Sequence, residues 1–211
     1  ELLSDISDVF AEKFQMHVIK NKINFVLGSS SPRRKLILIQ SGIKPDIIFS
    51  PNIKEDVLKN ELPLMYVKRM AKEKMDIVKD KYPESIILTA DTIVYVGRRI
   101  LPKTMDYDEA KFCLNLLSGR RHKVTTAFNV SGPQFVGKTR YVSSIVKFKR
   151  LSYQEITFYL DSLEWQGKAG GYAIQGLASR YIDFISGSYT NVVGLPLAEV
   201  YRTLISSGLN L

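Results

Sequence analysis

Three hydroxyls and three cations crowd the run Gly28-Ser29-Ser30-Ser31-Pro32-Arg33-Arg34-Lys35. The apolar run before it, Ile23 to Leu27, reads as a strand. Ser31 followed by Pro32 reads as the cap and first residue of a helix, with Gly42 as its stop. The first turn of a helix carries unpaired N–H groups and partial positive charge, so a loop in this place suits phosphate. Ser29 and Ser31 add hydroxyl donors, and Arg33 and Arg34 add forked donors that match phosphate oxygens. A solvated helix start with surface arginines has the same local sequence, and the residues alone leave both readings open.

Asp91 is the second candidate. It follows the apolar run Ser85 to Ala90, where sheet enzymes often place working residues, and a carboxylate there suits a hard divalent cation or a proton taken from water. The position alone favours a turn-starting aspartate. Glu55 is a further metal-binding candidate whose polar surroundings say little. Lysines are more telling. On a helix expected from about Pro63 to Lys79, Leu64, Val67, Ala71 and Val78 form an apolar face that Lys74 interrupts. A lysine held there needs an anionic partner, unless it snorkels to water from the edge of the stripe. Lys103 follows Pro102 in a short connection, and Lys168 lies among glycines that would let backbone approach a ligand closely. His17 and His122 are too far apart to suggest a metal site, and Cys113 on a helix reads as a core thiol.

These residues must be positioned by an alternation of strands and helices. Ile93 to Val96 reads as a strand of its own after the one over 85–90. Asp106 with Glu109 starts a helix to Leu117, and Ser152 with Glu155 starts another to about Leu160. Two strands are expected around 123–130 and 139–148, then a glycine-rich segment over 167–176, then a last helix from about Pro196 to Ser207. This is an α/β chain on a mixed sheet, since hairpin-like strand pairs argue against a purely parallel one.

The chain has 211 residues, 45 % hydrophobic and 24 % charged, which is ordinary for a globular protein with a sizeable core. No run approaches the roughly 18 apolar residues of a membrane span. A single cysteine excludes an internal disulfide framework and points to a reducing, intracellular setting. The net charge of +9 asks for anionic partners. Its basic residues are scattered without interleaved aromatics, so a nucleic-acid partner is not expected. Residues 1–22 form an extension in which Leu2, Ile6, Val9, Phe10 and Phe14 recur at helical spacing. Its acidic Glu1, Asp5, Asp8 and Glu12 speak against a transit peptide. Residues 23–211 make up the main domain.

Six segments in order resemble the Maf family of nucleotide pyrophosphatases: SSSPRRKLIL at 29–38, RMAKEKM at 69–75, ADTIV at 90–94, LSGRRHKVTT at 117–126, EWQGKAGGYAIQG at 164–176 and GSYTNVVGLPL at 187–197. The resemblance implies a fold like that of the inosine triphosphate pyrophosphatases, an elongated mixed β-sheet with flanking helices and two lobes around a central cleft. It implies that Arg33, Arg34 and nearby serines such as Ser29 and Ser31 grip a triphosphate and that Asp91 is the proton acceptor. Glu55, Lys74, Lys103 and Lys168 then match the other charged cleft positions. Arg33, Thr92 and Gln175 look like the trio associated with dTTP and UTP pyrophosphatases, and a glutamine amide complements the O4 and N3–H edge of thymine or uracil. Pro102-Lys103-Thr104 departs from the Gly-Lys-Pro of many members. The implied reaction is hydrolysis to a nucleoside monophosphate and pyrophosphate, as nucleotide-pool house-cleaning. Mg²⁺, or Mn²⁺ or Co²⁺, would be held by Glu55, Asp91 and phosphate oxygens. A cytoplasmic setting is expected, with no membrane partner, and the family makes a homodimer reasonable. The competing expectation is a non-catalytic nucleotide-binding regulator of cell division or septum formation.

Overall fold

The computed structural model describes residues 23–210. The expected helical extension over 1–22 lies outside the described residues. The chain runs β1 (Phe25–Gly28), α1 (Pro32–Gln40), β2 (Ile47–Ile48), α2 (Pro63–Lys81), β3 (Ile86–Val96), β4 (Arg99–Leu101) and β5 (Lys103–Thr104). It continues through α3 (Tyr107–Leu117), β6 (Arg121–Gly132), β7 (Phe135–Val136), β8 (Arg140–Phe148), α4 (Tyr153–Asp161) and β9 (Lys168–Ala169). A 3₁₀ turn (Leu177–Tyr181), β10 (Ile182–Ser186), α5 (Tyr189–Val193) and α6 (Leu197–Ser206) complete it. Among the described residues the main sheet has the order β10-β8-β6-β3-β1-β2, with β4 on β3 and β7 on β6, and a separate ribbon pairs β5 with β9. β1 is parallel to β2 and β3, whereas β6 is antiparallel to β3 and β8. The sheet is mixed, as expected.

The side-chain alternation of β3 organises both faces. Ile87 and Ile93 pack on the face covered by α2, with Val67, Met70, Ala71, Met75 and Val78. Ile86, Leu88, Ala90 and Val94 join the larger core on the other face, with Leu38 of α1 and Leu114 of α3. Burying each such aliphatic side chain contributes about 1.5–3 kcal/mol, so α2 is held mainly by this stripe. Gly28 closes β1 because a Cβ there would lie 2.6 Å from the Thr89 methyl and 2.9 Å from a Val78 methyl.

Two strands expected over 85–90 and 93–96 are one continuous strand, and Asp91 lies inside it rather than at its end. β6 pairs residue by residue across the polar interruption, with Asp91 opposite Ala127 and Thr92 opposite Thr126. On the other edge of β3, β1 pairs only as far as Thr89 and β4 begins at Val94. Residues 90–93 therefore leave an interval in which, among the described residues, no strand covers that edge. Ser31 is the N-cap of α1 by position, but its side chain makes no capping hydrogen bond. Ser152 and Glu155 form the reciprocal capping box anticipated for α4. Among the described residues no helix is long and apolar enough to cross a membrane.

Candidate active site

The uncovered interval of β3 opens into a cavity of about 380 Å³, within the range of small-molecule sites. Ser29, Ser31, Arg33, Arg34, Glu55, Lys74, Asp91, Thr92, Lys103, Lys168 and Gln175 all line it. The lining is drawn from the β1–α1 loop, the Glu55 loop, α2, β3, β5, β9 and the turn to Gln175. The cavity reaches both faces of the sheet because it wraps the open edge, so Asp91 and Thr92, which point to opposite faces, both line it.

Asp91 faces α2 and is 3 % exposed. Lys74, on the next layer, donates one hydrogen bond of 2.6 Å to Asp91 Oδ1 and one of 2.7 Å to Glu55 Oε1. The interruption of the apolar stripe is thus an ammonium shared by two carboxylates, and the snorkelling alternative is set aside. Lys103, at the start of β5, donates to the other Glu55 oxygen. Burial alone would raise the Glu55 pKa, but the hydrogen bonds from Lys103 and Lys74 and their positive charges override it and hold the carboxyl at about 2. Glu55 is in place because its loop is tied to α2. The Tyr66 hydroxyl donates to the Glu55 carbonyl oxygen at 2.9 Å, and Arg69 donates to Glu61 and to the Asp56 carbonyl oxygen.

Arg34 is buried on the opposite face. Its Nε donates to the Gly194 carbonyl oxygen at 2.8 Å, Nη1 to Ser29 Oγ at 3.0 Å and Nη2 to Thr92 Oγ1 at 2.9 Å. Gly194 turns with φ 134°, a conformation that glycine adopts without strain. Desolvation lowers the pKa of Arg34, and that of half-buried Arg33 likewise, although a guanidinium remains charged in protein. Lys168, in the first position of β9, is lowered by burial and then by Arg33. Its Nζ donates to the Gln166 carbonyl oxygen at 3.2 Å. Gln175 is exposed and lines the cavity. Five cationic side chains thus surround two carboxylates, together with the hydroxyls of the β1–α1 loop. The surplus of positive charge and of N–H donors suits a polyanion carrying phosphate groups.

Some contributors had no sequence signal of their own. Tyr66 anchors the Glu55 loop. Thr126 and Asn191 sit behind Thr92, with Asn191 accepting from the Thr126 amide at 3.2 Å and donating to the Val124 carbonyl oxygen and Ser144 Oγ. The segment GSYTNVVGLPL was informative only as a whole, and the register of β3 on β6 is what makes Asn191 and Gly194 structural partners of the cavity. His122 is buried against Tyr172 and Phe148, and among the described residues it belongs to no group of three His, Cys, Asp or Glu side chains that could hold a metal. Cys113 is a core thiol, fully buried.

The sheet, the cavity at its interrupted edge and the cation-rich lining define an α/β protein with a cleft of paired carboxylates and surplus cations, a lining that suits phosphate. The family model for Maf-like protein matches residues 24–207, and the chain belongs to that family. It is 53 % identical over 184 residues to the dTTP/UTP pyrophosphatase of Roseobacter denitrificans, covering 87 % of this chain and 97 % of that one. It is 47 % identical over 181 residues to the nucleoside triphosphate pyrophosphatase of Ehrlichia chaffeensis, covering 86 % and 94 %. The solved Ham1 protein of Staphylococcus aureus overlays loosely, with a TM-score of 0.47 at 12 % identity over 88 % of this chain and 99 % of that one.

Proposed function

We propose that the protein hydrolyses dTTP- and UTP-type nucleoside triphosphates, canonical or modified, to the monophosphate and pyrophosphate. The convergence of Arg33, Arg34, Lys103 and Lys168 on one cavity, around Asp91 and Glu55, carries this reading. Water attacks the α-phosphorus, the α–β anhydride breaks, and pyrophosphate leaves. Arginines and lysines stabilise charge gathering on the phosphoryl oxygens. In this reading Asp91 is the acceptor of the water's proton or an oxygen ligand, and the hydrogen bond from Lys74 orients it. The names of the curated relatives support the reaction and the pyrimidine preference.

A divalent cation belongs to this reading. Magnesium is commonly held by one or two carboxylates together with substrate phosphates, and Glu55 and Asp91 supply that pair. Among the described residues no three His, Cys, Asp or Glu side chains are grouped for a metal. The donor set therefore fits a hard ion brought with the triphosphate, Mg²⁺ or its substitutes Mn²⁺ and Co²⁺, better than a resident protein-only site. Bound there, the ion would neutralise phosphate charge. We place the reaction in the cytoplasm, where such triphosphates are made and used.

The test is a pyrophosphate-release assay over dTTP, UTP, CTP, ATP and GTP, with Mg²⁺ and with chelator. Release from dTTP and UTP above the purine triphosphates is expected, abolished by chelator. Tight binding without release would establish the non-catalytic regulator instead.

A further inference from the structure

Thr92 lines the cavity, and a half-buried threonine beside a nucleotide invites a role as a direct contact. Its hydrogen bonds say otherwise. A hydroxyl has one hydrogen to give and two lone pairs to share. Arg34 Nη2 takes one lone pair at 2.9 Å. Thr126 Oγ1 lies at 2.8 Å, on the residue directly opposite in β6, and the Gly194 carbonyl oxygen lies at 3.3 Å. Either threonine can donate in the Thr92–Thr126 bond: with Thr126 donating, Thr92 gives its hydrogen to Gly194 and its full capacity is spent inside the protein, and with Thr92 donating to Thr126 a single lone pair is left over. Arg34 is in the opposite condition. Three of its N–H groups go to Gly194, Ser29 and Thr92, and of the five a guanidinium carries two are left, on a residue that lines the cavity.

We infer that Thr92 is a positioning residue that serves the ligand through Arg34: its hydroxyl, backed by Thr126, fixes the plane of the guanidinium, which then offers its two remaining N–H groups to phosphate oxygens. The inference rests on the triphosphate reading of the cavity and deepens it, because it moves Thr92 from the base to the phosphate chain. Thr126 is itself fully buried and has a second outlet, the Asn191 carbonyl oxygen at 3.3 Å. Its support of Thr92 is therefore strong in distance but shared. Loss of the Thr92 hydroxyl leaves Nη2 without its anchor while Nε and Nη1 keep Gly194 and Ser29, loss of Thr126 weakens that anchor indirectly, and a tilted fork loses its match to phosphate whatever base the nucleotide carries.

Thr92→Val, Thr92→Ser and Thr126→Val separate the possibilities, with melting temperature checking that each variant folds. Calorimetric Kd values are measured for UTP, dTTP, ATP and inorganic tripolyphosphate, the last having no base to read, alongside wild-type pyrophosphate release. Thr92→Val should weaken all four ligands by one common factor of about ten, the size of one lost charge-assisted hydrogen bond. Thr92→Ser should restore binding to within about twofold, and Thr126→Val should give a smaller loss in the same pattern. A Thr92→Val that leaves tripolyphosphate unchanged while altering the UTP to ATP ratio overturns the inference and makes Thr92 a reader of the base. Uniform loss in Thr92→Val without rescue by serine overturns it too. If wild type binds all four but releases no pyrophosphate, the hydrolytic reading fails while the positioning role is still decided by the variants. If wild type binds none, both fall.

Discussion

Replacing Lys74 with methionine removes an ammonium shared by two carboxylates while keeping much of the side-chain volume. At an effective dielectric of about 20, each contact of roughly 2.7 Å represents about 6 kcal/mol of Coulomb attraction, much of it offset by desolvation. Removing one partner of a buried pair costs about 3–5 kcal/mol, because the other charge is left uncompensated. Asp91, with its side chain 4 % exposed, takes that penalty, whereas Glu55 at 34 % keeps water and Lys103. Arg34 also keeps its attraction to Asp91. The lower end, about 3 kcal/mol, is therefore expected, or roughly 6–12 °C in melting temperature for a chain of this length. Urea unfolding in chelator measures it. Lys74→Met/Asp91→Asn should recover at least about 1 kcal/mol relative to the sum of the single changes, since it removes charge from both sides. Mg²⁺ added back should raise the midpoint of Lys74→Met more than that of wild type. A cost under about 1 kcal/mol, or strict additivity in the double variant, would refute the shared-ammonium account.

Four other outcomes follow from the same geometry. Asp91→Asn should keep the fold and lose at least about a hundredfold in pyrophosphate release; near wild-type turnover would remove Asp91 from the chemistry. Gln175→Glu should lower the preference for dTTP and UTP over purine triphosphates, read as the ratio of kcat/KM values. Burial lowers the His122 pKa to about 4, and its Nε2 lies 2.7 Å from the Tyr172 hydroxyl. Its folded value is below the unfolded one near 6.5, so the stability tied to neutral His122 is complete above pH 6.5 and is lost as pH falls toward 4. That loss amounts to about 3 kcal/mol, and urea unfolding of His122→Gln should show a correspondingly flatter profile across this window. Burial also pushes the Cys113 thiol up to about 11, so an aromatic disulfide reagent at pH 8 should modify it only at the rate of unfolding.

Local sequence revealed what local physics decides. The Ser152–Glu155 box capped α4 because both partners lie within one turn, and the break in the apolar stripe of α2 pointed to Lys74 because helical spacing alone places it there. Asp91 was legible as a residue but not as a position. A polar pair after an apolar run looks like a strand end, and only pairing with β6 on one side, plus Lys74 and Arg34 as partners on the two faces, carries the strand through. Glu55 had no local signature, since its importance comes from a loop that Tyr66 and Arg69 fold back onto α2. Thr126 and Asn191 were equally silent, because their roles arise from strand register and from the short helix α5, 65 residues downstream of Thr126.

The uncovered interval of β3 has a consequence for how the protein behaves in a crowded solution. An exposed strand edge invites pairing with another chain, and proteins blunt such edges by shortness, charge or cover. Here the bare stretch is limited to residues 90–93, and its Asp91 and Thr92 share the cavity lining with Arg33, Arg34, Lys103 and Lys168. The cations that suit a phosphate chain also repel the approach of a like-charged copy. The side chains proposed to hold the ligand would thus also protect the edge, and neutralising several of them should promote self-association as well as loss of binding.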